Sequence, residues 1–150
     1  MRRDGEHLGH RLTVEFAADK TAYKAGETQT VDLVHADTLA AGRIFKKASF
    51  DVIVTDAPYG VQHGAVRDGD NLSRDPTALL RRAIPAWAPL LRPGGALGLG
   101  WNTYTASRDD LVTICAAAGL EVVTDPAVAD FGHRVDQAIH RDLIVARRRQ

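Results

Sequence analysis

The chain has 150 residues, 45% of them hydrophobic and 25% charged, and these proportions are typical of one globular domain with a buried core. Basic and acidic residues number 19 each, which argues against a chain that holds nucleic acid through a strongly basic surface of its own. The sequence shows no apolar run of the ~20 residues that a membrane span needs, no signal-peptide stretch and a single cysteine, Cys115. We therefore expect a cytoplasmic protein without disulfides or membrane contact.

The first 29 residues predict a tail and a connecting segment. Residues 1–11 are polar and charged without periodicity, whereas the alternation in 11–16, RLTVEF, is typical of a half-buried strand. A polar connection with a turn at Gly26 follows. We accordingly divide the chain into residues 1–29 and a larger part, residues 30–150.

Strands and helices alternate through much of the larger part. Residues 30–37 predict a strand that ends on Asp37, and a short helix weakened by Gly42 comes next. The apolar run 50–56, FDVIVTD, is typical of a buried strand in a parallel sheet.

Two further helices are marked by their caps. The first begins after Asp75, with Pro76 at its first position, and the second has a capping box of Ser107 and Asp110. Pro85 lies inside the first helix and lacks the N–H that a helix interior needs, at a cost of ~3 kcal/mol. We expect a kink or a break there.

The rest of the pattern predicts the fold class. A buried strand at 94–102 separates the two helices, and Gly119 stops the second helix. The last two strands, at 120–125 and 141–148, have no helix between them, so one of them should run antiparallel. The chain is thus predicted to be α/β, with a mainly parallel sheet, an antiparallel last strand and helices on both faces.

Two acids lie at the ends of predicted neighbouring strands, Asp37 and Asp56. The carboxyl ends of parallel strands form one rim, and open α/β sheets bind their ligands beside it. Capping is the alternative role for each acid. It explains Asp37, which precedes a helix, better than Asp56, which is followed by Ala57 and Pro58 and starts no evident helix.

The segment DAPY, residues 56–59, is suited to holding a planar amine. The carboxylate of Asp56 can accept one N–H and the backbone carbonyl of Ala57 the other, which draws the nitrogen lone pair out of conjugation with a base. The ring of Tyr59 offers a face for base stacking, worth ~1–3 kcal/mol, and Gly60 lets the chain turn beneath the ring.

Four segments resemble the class I S-adenosylmethionine-dependent amino-methyltransferases. Motif IV, which has the signature Asp/Asn-Pro-Pro-Tyr, is similar to the segment VTDAPYGVQHG of this chain. The turn that leads into the fifth strand of the family is similar to LLRPGGAL. The third-strand segment, whose acid holds the cofactor's adenine amine, is resembled by VHADT. The closing strands of the putative RNA methylase family, which includes the tRNA guanosine-N2 methyltransferases, are resembled by HRVDQAIHRDLIVARR. The resemblance covers about residues 11–149.

The resemblance implies a Rossmann-like fold and transfer of a methyl group from S-adenosyl-L-methionine to an exocyclic amine of a nucleobase, with tRNA guanine or adenine as the expected substrate. The implied catalytic residues are Asp56, Ala57, Pro58 and Tyr59, and the implied cofactor-binding residues are Asp37, Thr38 and Asp56. His63 follows the motif, and Asn102 ends the fifth strand. Both are candidate substrate-binding residues beside Tyr59 and Gly60, although His63 also fits a plain loop histidine.

The sequence departs from this family in two places. Ala57 stands where the family commonly has proline, a change that keeps the carbonyl and loses some rigidity. No glycine-rich turn for the methionine part of the cofactor precedes Asp37. The chain therefore resembles the C-terminal part of the catalytic domain, lacking the first strands of the complete fold, with the missing segment absent or on a second polypeptide.

Three other interpretations remain open. A non-catalytic remnant or a partner subunit of a split methyltransferase would keep this fold without binding the cofactor alone. A nicotinamide-dependent oxidoreductase is disfavoured because no dinucleotide fingerprint opens a strand–helix unit. A metal site at His133, Asp136 and His140 is disfavoured because these residues lack the tight spacing of zinc ligands, so we predict none.

Overall fold

The computed structural model describes residues 1–58, 76–128 and 131–150. They form two compact units, Met1–Ile44 and Phe45–Gln150. This boundary lies further along the chain than the predicted division between residues 29 and 30. The assignment of 30–150 to the C-terminal part of a catalytic domain stays a prediction.

The first unit is built from two antiparallel pairs. Strand β1 (Arg2–Arg3) pairs with β2 (Glu6–His7), and β3 (Gly9–Phe16) pairs with β4 (Gln29–Ala36). The predicted strand at 11–16 is confirmed as part of β3, and residues 2–7, predicted as an irregular tail, contain the β1–β2 pair.

A short helix, α1 (Lys20–Ala25), connects β3 with β4. The side chain of Asp19 accepts the N–H groups of Thr21 and Ala22 at its start. Gly26 follows with φ +77°, the left-handed conformation that glycine adopts at little cost, so the predicted turn is confirmed.

The expected adjacency of the strands that precede Asp37 and Asp56 is wrong. β4, which precedes Asp37, is paired with β3 in a two-stranded sheet, whereas the strand that ends on Asp56 belongs to another sheet. Asp37 instead caps a 3₁₀ turn, Thr38–Ala40, where its Oδ1 accepts the Leu39 N–H at 2.8 Å. Helix α2 (Ala41–Ile44) closes the unit.

The second unit contains the five-stranded sheet that carries the candidate site. Its strands are β5 (Phe50–Asp56), β6 (Leu91–Asn102), β7 (Leu120–Val122), β8 (His133–Arg134) and β9 (His140–Arg148), in the order β5-β6-β9-β7 with β8 also paired to β9. β5 and β6 are parallel, and β9 is antiparallel to each of its neighbours β6, β7 and β8. The predicted antiparallel last strand is confirmed.

Two helices pack on this sheet, α3 (Pro76–Trp87) and α4 (Arg108–Ala117). The core combines apolar side chains of both helices with alternate residues of β6 and β9: Leu80, Ile84, Leu111, Ile114, Leu97, Leu99, Ile144 and Ala146. The intervening side chains of β5 face away from this core, and Val54 is 76% exposed. In the described part of this unit, the prediction of helices on both faces is therefore not met.

The described helix ends agree with their predicted signals, with one exception, and the predicted N-cap Asp75 lies outside the described residues. The Ser107 Oγ accepts the Asp110 N–H at 3.1 Å, and Gly119 has φ +76° just after α4. Pro85 does not break α3, which continues to Trp87 and tightens into a 3₁₀ turn, Ala88–Leu90. In the described segments, no helix is long and apolar enough to cross a membrane.

Candidate functional site

Asp56 ends β5 at the edge of the sheet where β6 also ends. It lies in register with Gly100 of β6, and because the two strands are parallel their carboxyl ends share that edge. The side chain is 57% exposed, so the carboxylate points to solvent and not into the core. This is the position at which a ligand group could reach it.

Arg141, the second residue of β9, binds the carboxylate of Asp56. One Nη of Arg141 lies 3.3 Å from the Oδ2 of Asp56. Both partners are partly exposed, and ion pairs of this kind contribute only about 0–1 kcal/mol. The pair therefore orients the carboxylate, while an incoming hydrogen-bond donor can still compete for it.

The residue after Asp56 is held firmly. The Ala57 N–H donates to the carbonyl of Gly100 at 2.8 Å, and Ala57 is buried. This hydrogen bond fixes Ala57 against β6, although alanine lacks the rigid ring of the proline that is common at this position of the resembled motif. The peptide between Ala57 and Pro58 carries the carbonyl that was predicted as the second acceptor for an amine.

Gly100 makes room for the Asp56 side chain. A Cβ at position 100 would overlap with the Oδ1 of Asp56, whereas a Cβ at Gly98, two residues earlier on the same face, would meet its first neighbour at 3.9 Å, in Val54. Close packing is the reason predicted for the glycines of this strand. The structure shows that at Gly100 the packed atom belongs to the candidate catalytic residue.

A cluster that the sequence did not reveal lies just beyond β6. The Oδ1 of Asn102 accepts the N–H of Tyr104 at 3.2 Å and the N–H of His140 at 3.1 Å, and its Nδ2 donates to the carbonyl of Ala138 at 2.9 Å. Asn102 is 1% exposed, so in this arrangement the amide holds backbone, and its predicted contact with substrate stays a prediction. Tyr104, whose ring is exposed, belongs to no motif in the sequence, so the sequence did not identify it as a candidate site residue.

The remaining predicted residues are only partly placed. Asp37 and Thr38 are exposed in the first unit, and their cofactor role stays a prediction. Tyr59, Gly60 and His63 lie outside the described residues.

The structure adds two chemical facts about other candidates. Among the described residues, no group of three or more His, Cys, Asp or Glu side chains could hold a metal ion. Cys115 is completely buried on α4, and this burial raises the pKa of its thiol to about 11. It is a core residue and a poor nucleophile at neutral pH.

Comparison with known proteins shows the fold. No family model and no curated protein matches the sequence. The putative DNA modification methylase TTHA0409 of Thermus thermophilus, solved as its selenomethionine derivative, aligns with a TM-score of 0.51 and 19% identity over 76% of this chain and 51% of that one. The same protein complexed with S-adenosyl-L-methionine gives a TM-score of 0.47 at 18% identity, over 76% and 51%.

A third structure, the 16S rRNA N2 G1207 methyltransferase RsmC of T. thermophilus in complex with AdoMet and guanosine, aligns with a TM-score of 0.40 and 14% identity over 73% of this chain and 23% of that one. At these identities the likeness concerns the fold alone. The chain has the α/β fold of part of the methylase TTHA0409 and spans about half of that protein's length.

Proposed function

We propose that this chain carries the target-amine site of a class I S-adenosylmethionine-dependent methyltransferase that acts on an exocyclic amine of a nucleobase in RNA. Guanine or adenine in tRNA is the first substrate to test. The observation that carries the proposal is Asp56, an exposed carboxylate at the carboxyl end of a parallel strand, oriented by Arg141 and accommodated by Gly100. The shared fold with a methylase supports it.

In the proposed chemistry, Asp56 serves as a well-placed hydrogen-bond acceptor. An Asp56 oxygen accepts one N–H of the base amine and the Ala57 carbonyl accepts the other, so the lone pair of the nitrogen is available for attack. Alignment of that nitrogen supplies most of the rate, and Arg141 keeps the acceptor oriented. When bound, S-adenosyl-L-methionine would supply an electrophilic methyl group and leave as S-adenosylhomocysteine, and the methylated amine would lose one proton to solvent.

The described residues provide a more complete site for the substrate amine than for the whole of S-adenosyl-L-methionine. Ahead of β5, the connection from β3 to α1 is Ala17–Ala18–Asp19, without glycine, and β3 and β4 are antiparallel. A glycine-rich turn that holds the methionine part needs another arrangement, a parallel strand–turn–helix unit. We propose that a further segment or a second polypeptide supplies that turn, and that Asp37 and Thr38 contact the adenosine.

The test is methyl transfer from radiolabelled S-adenosyl-L-methionine to bulk tRNA, with double-stranded DNA in a parallel reaction. We expect label in a tRNA base, and we expect D56A to lower the rate by about 10²–10³-fold because one acceptor at the reacting amine is lost. D56N should retain much more activity, since its amide oxygen still accepts.

Asp51 provides the matched control. It is an exposed acid on the same strand and is also bound to an arginine, with Arg92 at 2.6 Å, so D51N should leave the rate unchanged. Equal losses in D51N and D56A would contradict the assignment of the site. Loss of activity in D56N as severe as in D56A would show that Asp56 acts as a base.

A non-catalytic partner subunit is the second candidate function. The antiparallel β3–β4 pair and the glycine-free connection to α1 favour it, because they provide no turn for the methionine part within the described first unit. Calorimetry with S-adenosylhomocysteine separates the two. Micromolar binding to the chain supports an enzyme that holds the cofactor itself, whereas absent or millimolar binding together with no methyl transfer to tRNA supports a partner module.

A further inference from the structure

An aromatic pair, one ring exposed and the other half-buried, lies at the edge of the sheet where β6 ends. Tyr104 follows β6 and is 63% exposed. Its ring centroid is 6.0 Å from that of His140, the first residue of β9, with 45° between the ring planes. Two rings contributed by different segments thus form one small surface.

A buried amide fixes this pair in place. The Asn102 Oδ1 accepts both the Tyr104 N–H and the His140 N–H, and the His140 Nδ1 is 3.0 Å from the Oγ1 of Thr103. Because Asn102 is buried, neither backbone can shift without leaving a polar group without its partner, which is costly. The backbone at Tyr104 and at His140 is therefore fixed before any ligand arrives, which lowers part of the entropic cost of binding.

A cation lies beside His140, one member of the ring pair. Arg134 of β8 is the register partner of His140 on β9, and directly opposed residues of an antiparallel pair are neighbours on the same face. The Arg134 Nε donates to the carbonyl of Asp136 at 3.1 Å, which directs the guanidinium. We call these three residues the rim surface: Tyr104, His140 and Arg134. The two rings offer faces for stacking, and the guanidinium of Arg134 can bind a phosphate.

We propose that the rim surface binds single-stranded nucleic acid, with a nucleobase stacked on Tyr104 and a backbone phosphate at Arg134. Exposed rings interleaved with cations are how proteins hold single strands without reading sequence. A balanced total charge does not oppose this, since one or two phosphate contacts need only a local cation. The inference rests on the proposed function for its role, which is to hold the strand whose base reaches Asp56, although binding can be measured separately.

The experiment is fluorescence anisotropy of the full chain with a 5′-fluorescein-labelled 12-nucleotide single strand, as RNA and as DNA, at low salt. We expect Y104A to weaken binding about 5- to 150-fold, the loss of one stacked base, and Y104F to stay within about twofold of the unaltered chain. R134Q should weaken binding and reduce its dependence on salt concentration.

Tyr23 supplies the control. It is a 50% exposed tyrosine on α1, so Y23A removes a ring of similar exposure from elsewhere. Thermal unfolding of each variant verifies that it is folded. The inference is overturned if the unaltered chain binds neither strand, or if Y104A binds as well as Y23A.

The two proposals fail in different ways. Binding that depends on Tyr104 without methyl transfer supports the rim surface and counts against the proposed function. Methyl transfer with full binding by Y104A supports the proposed function and overturns the rim surface.

Discussion

At the scale of residues, the candidate site depends on a glycine as much as on an acid. The carboxylate of Asp56 occupies the space that any side chain at position 100 would need. Since Asp56 is exposed, it can turn away from an added methyl group at little cost to the fold. An alteration at Gly100 should therefore affect chemistry more than stability.

We predict that G100A lowers the rate of methyl transfer by at least tenfold, because the acceptor oxygen is displaced from the reacting amine. The free energy of unfolding should change by less than about 1 kcal/mol. G98A is the control, since a Cβ there makes an ordinary contact with Val54, and its rate should be unchanged. Equal rates in G100A and G98A would show that the position of Asp56 does not matter.

Because Cys115 is buried, the free energy of unfolding should depend on pH in the alkaline range. Its thiol pKa is raised by burial from 9.0 to about 11, so the unfolded chain loses the proton before the folded chain does. The stability contributed by the neutral thiol is complete below pH 9 and is lost as the pH rises towards 11.

We accordingly predict that the free energy of unfolding falls between pH 9 and pH 11 by up to about 3 kcal/mol more in the unaltered chain than in C115A. Urea denaturation of both proteins across this range measures the difference. Parallel curves for the two proteins would contradict the prediction.

At the scale of elements, helix α4 depends on its first turn. The Ser107 Oγ accepts the Asp110 N–H and also donates to the Asp110 Oδ2 at 2.6 Å, so one hydroxyl makes both contacts of this cap. We predict that S107A lowers the free energy of unfolding by about 1 kcal/mol, whereas S107T, which keeps the hydroxyl as acceptor and donor, lowers it by much less. Thermal or urea denaturation provides the comparison, and equal losses would assign the effect to packing.

Local signals in the sequence predicted the elements better than their partners. The caps at Ser107 and Gly119 depend on neighbours a few residues away, and the structure confirms them. The apolar run 50–56 does form a strand parallel to β6, but the prediction that this strand is buried is wrong, because β5 lies at the edge of its sheet with Val52 and Val54 exposed. The pairing of β4 depends on which distant strand it meets, and no local pattern carries that information. The alternation within 11–16 predicted a strand but could not indicate that β3 and β4 pair with each other.

The residues of the candidate site likewise fall into two groups, those that the local sequence identifies and those that only the folded chain brings together. Asp56 and Ala57 could be identified because they are consecutive and carry a known chemical pattern. Arg141 and Tyr104 could not, because Arg141 meets Asp56 across 85 positions of the chain and Tyr104 meets His140 on another strand, and only the folded chain brings these partners together. Pro85 does not break α3 as predicted, and the helix ends two residues later, at Trp87.

At the scale of the whole molecule, the sheet of the second unit has one well-covered face. Helices α3 and α4 bury alternate residues of β6 and β9, while Val52 and Val54 on β5 remain exposed. An edge strand with apolar exposed residues invites pairing with another chain or segment. This agrees with a catalytic domain that needs further strands, as proposed above.

The contact between Asp56 and Arg141 also has a consequence for synthesis. The acid belongs to the first strand of its sheet in chain order and the arginine to the last, so translation must pass β9 before the two can meet. A nascent chain halted earlier would expose an acid without the cation that orients it. The carboxylate of Asp56 therefore gains this orientation only after β9 has been synthesised and has joined the sheet.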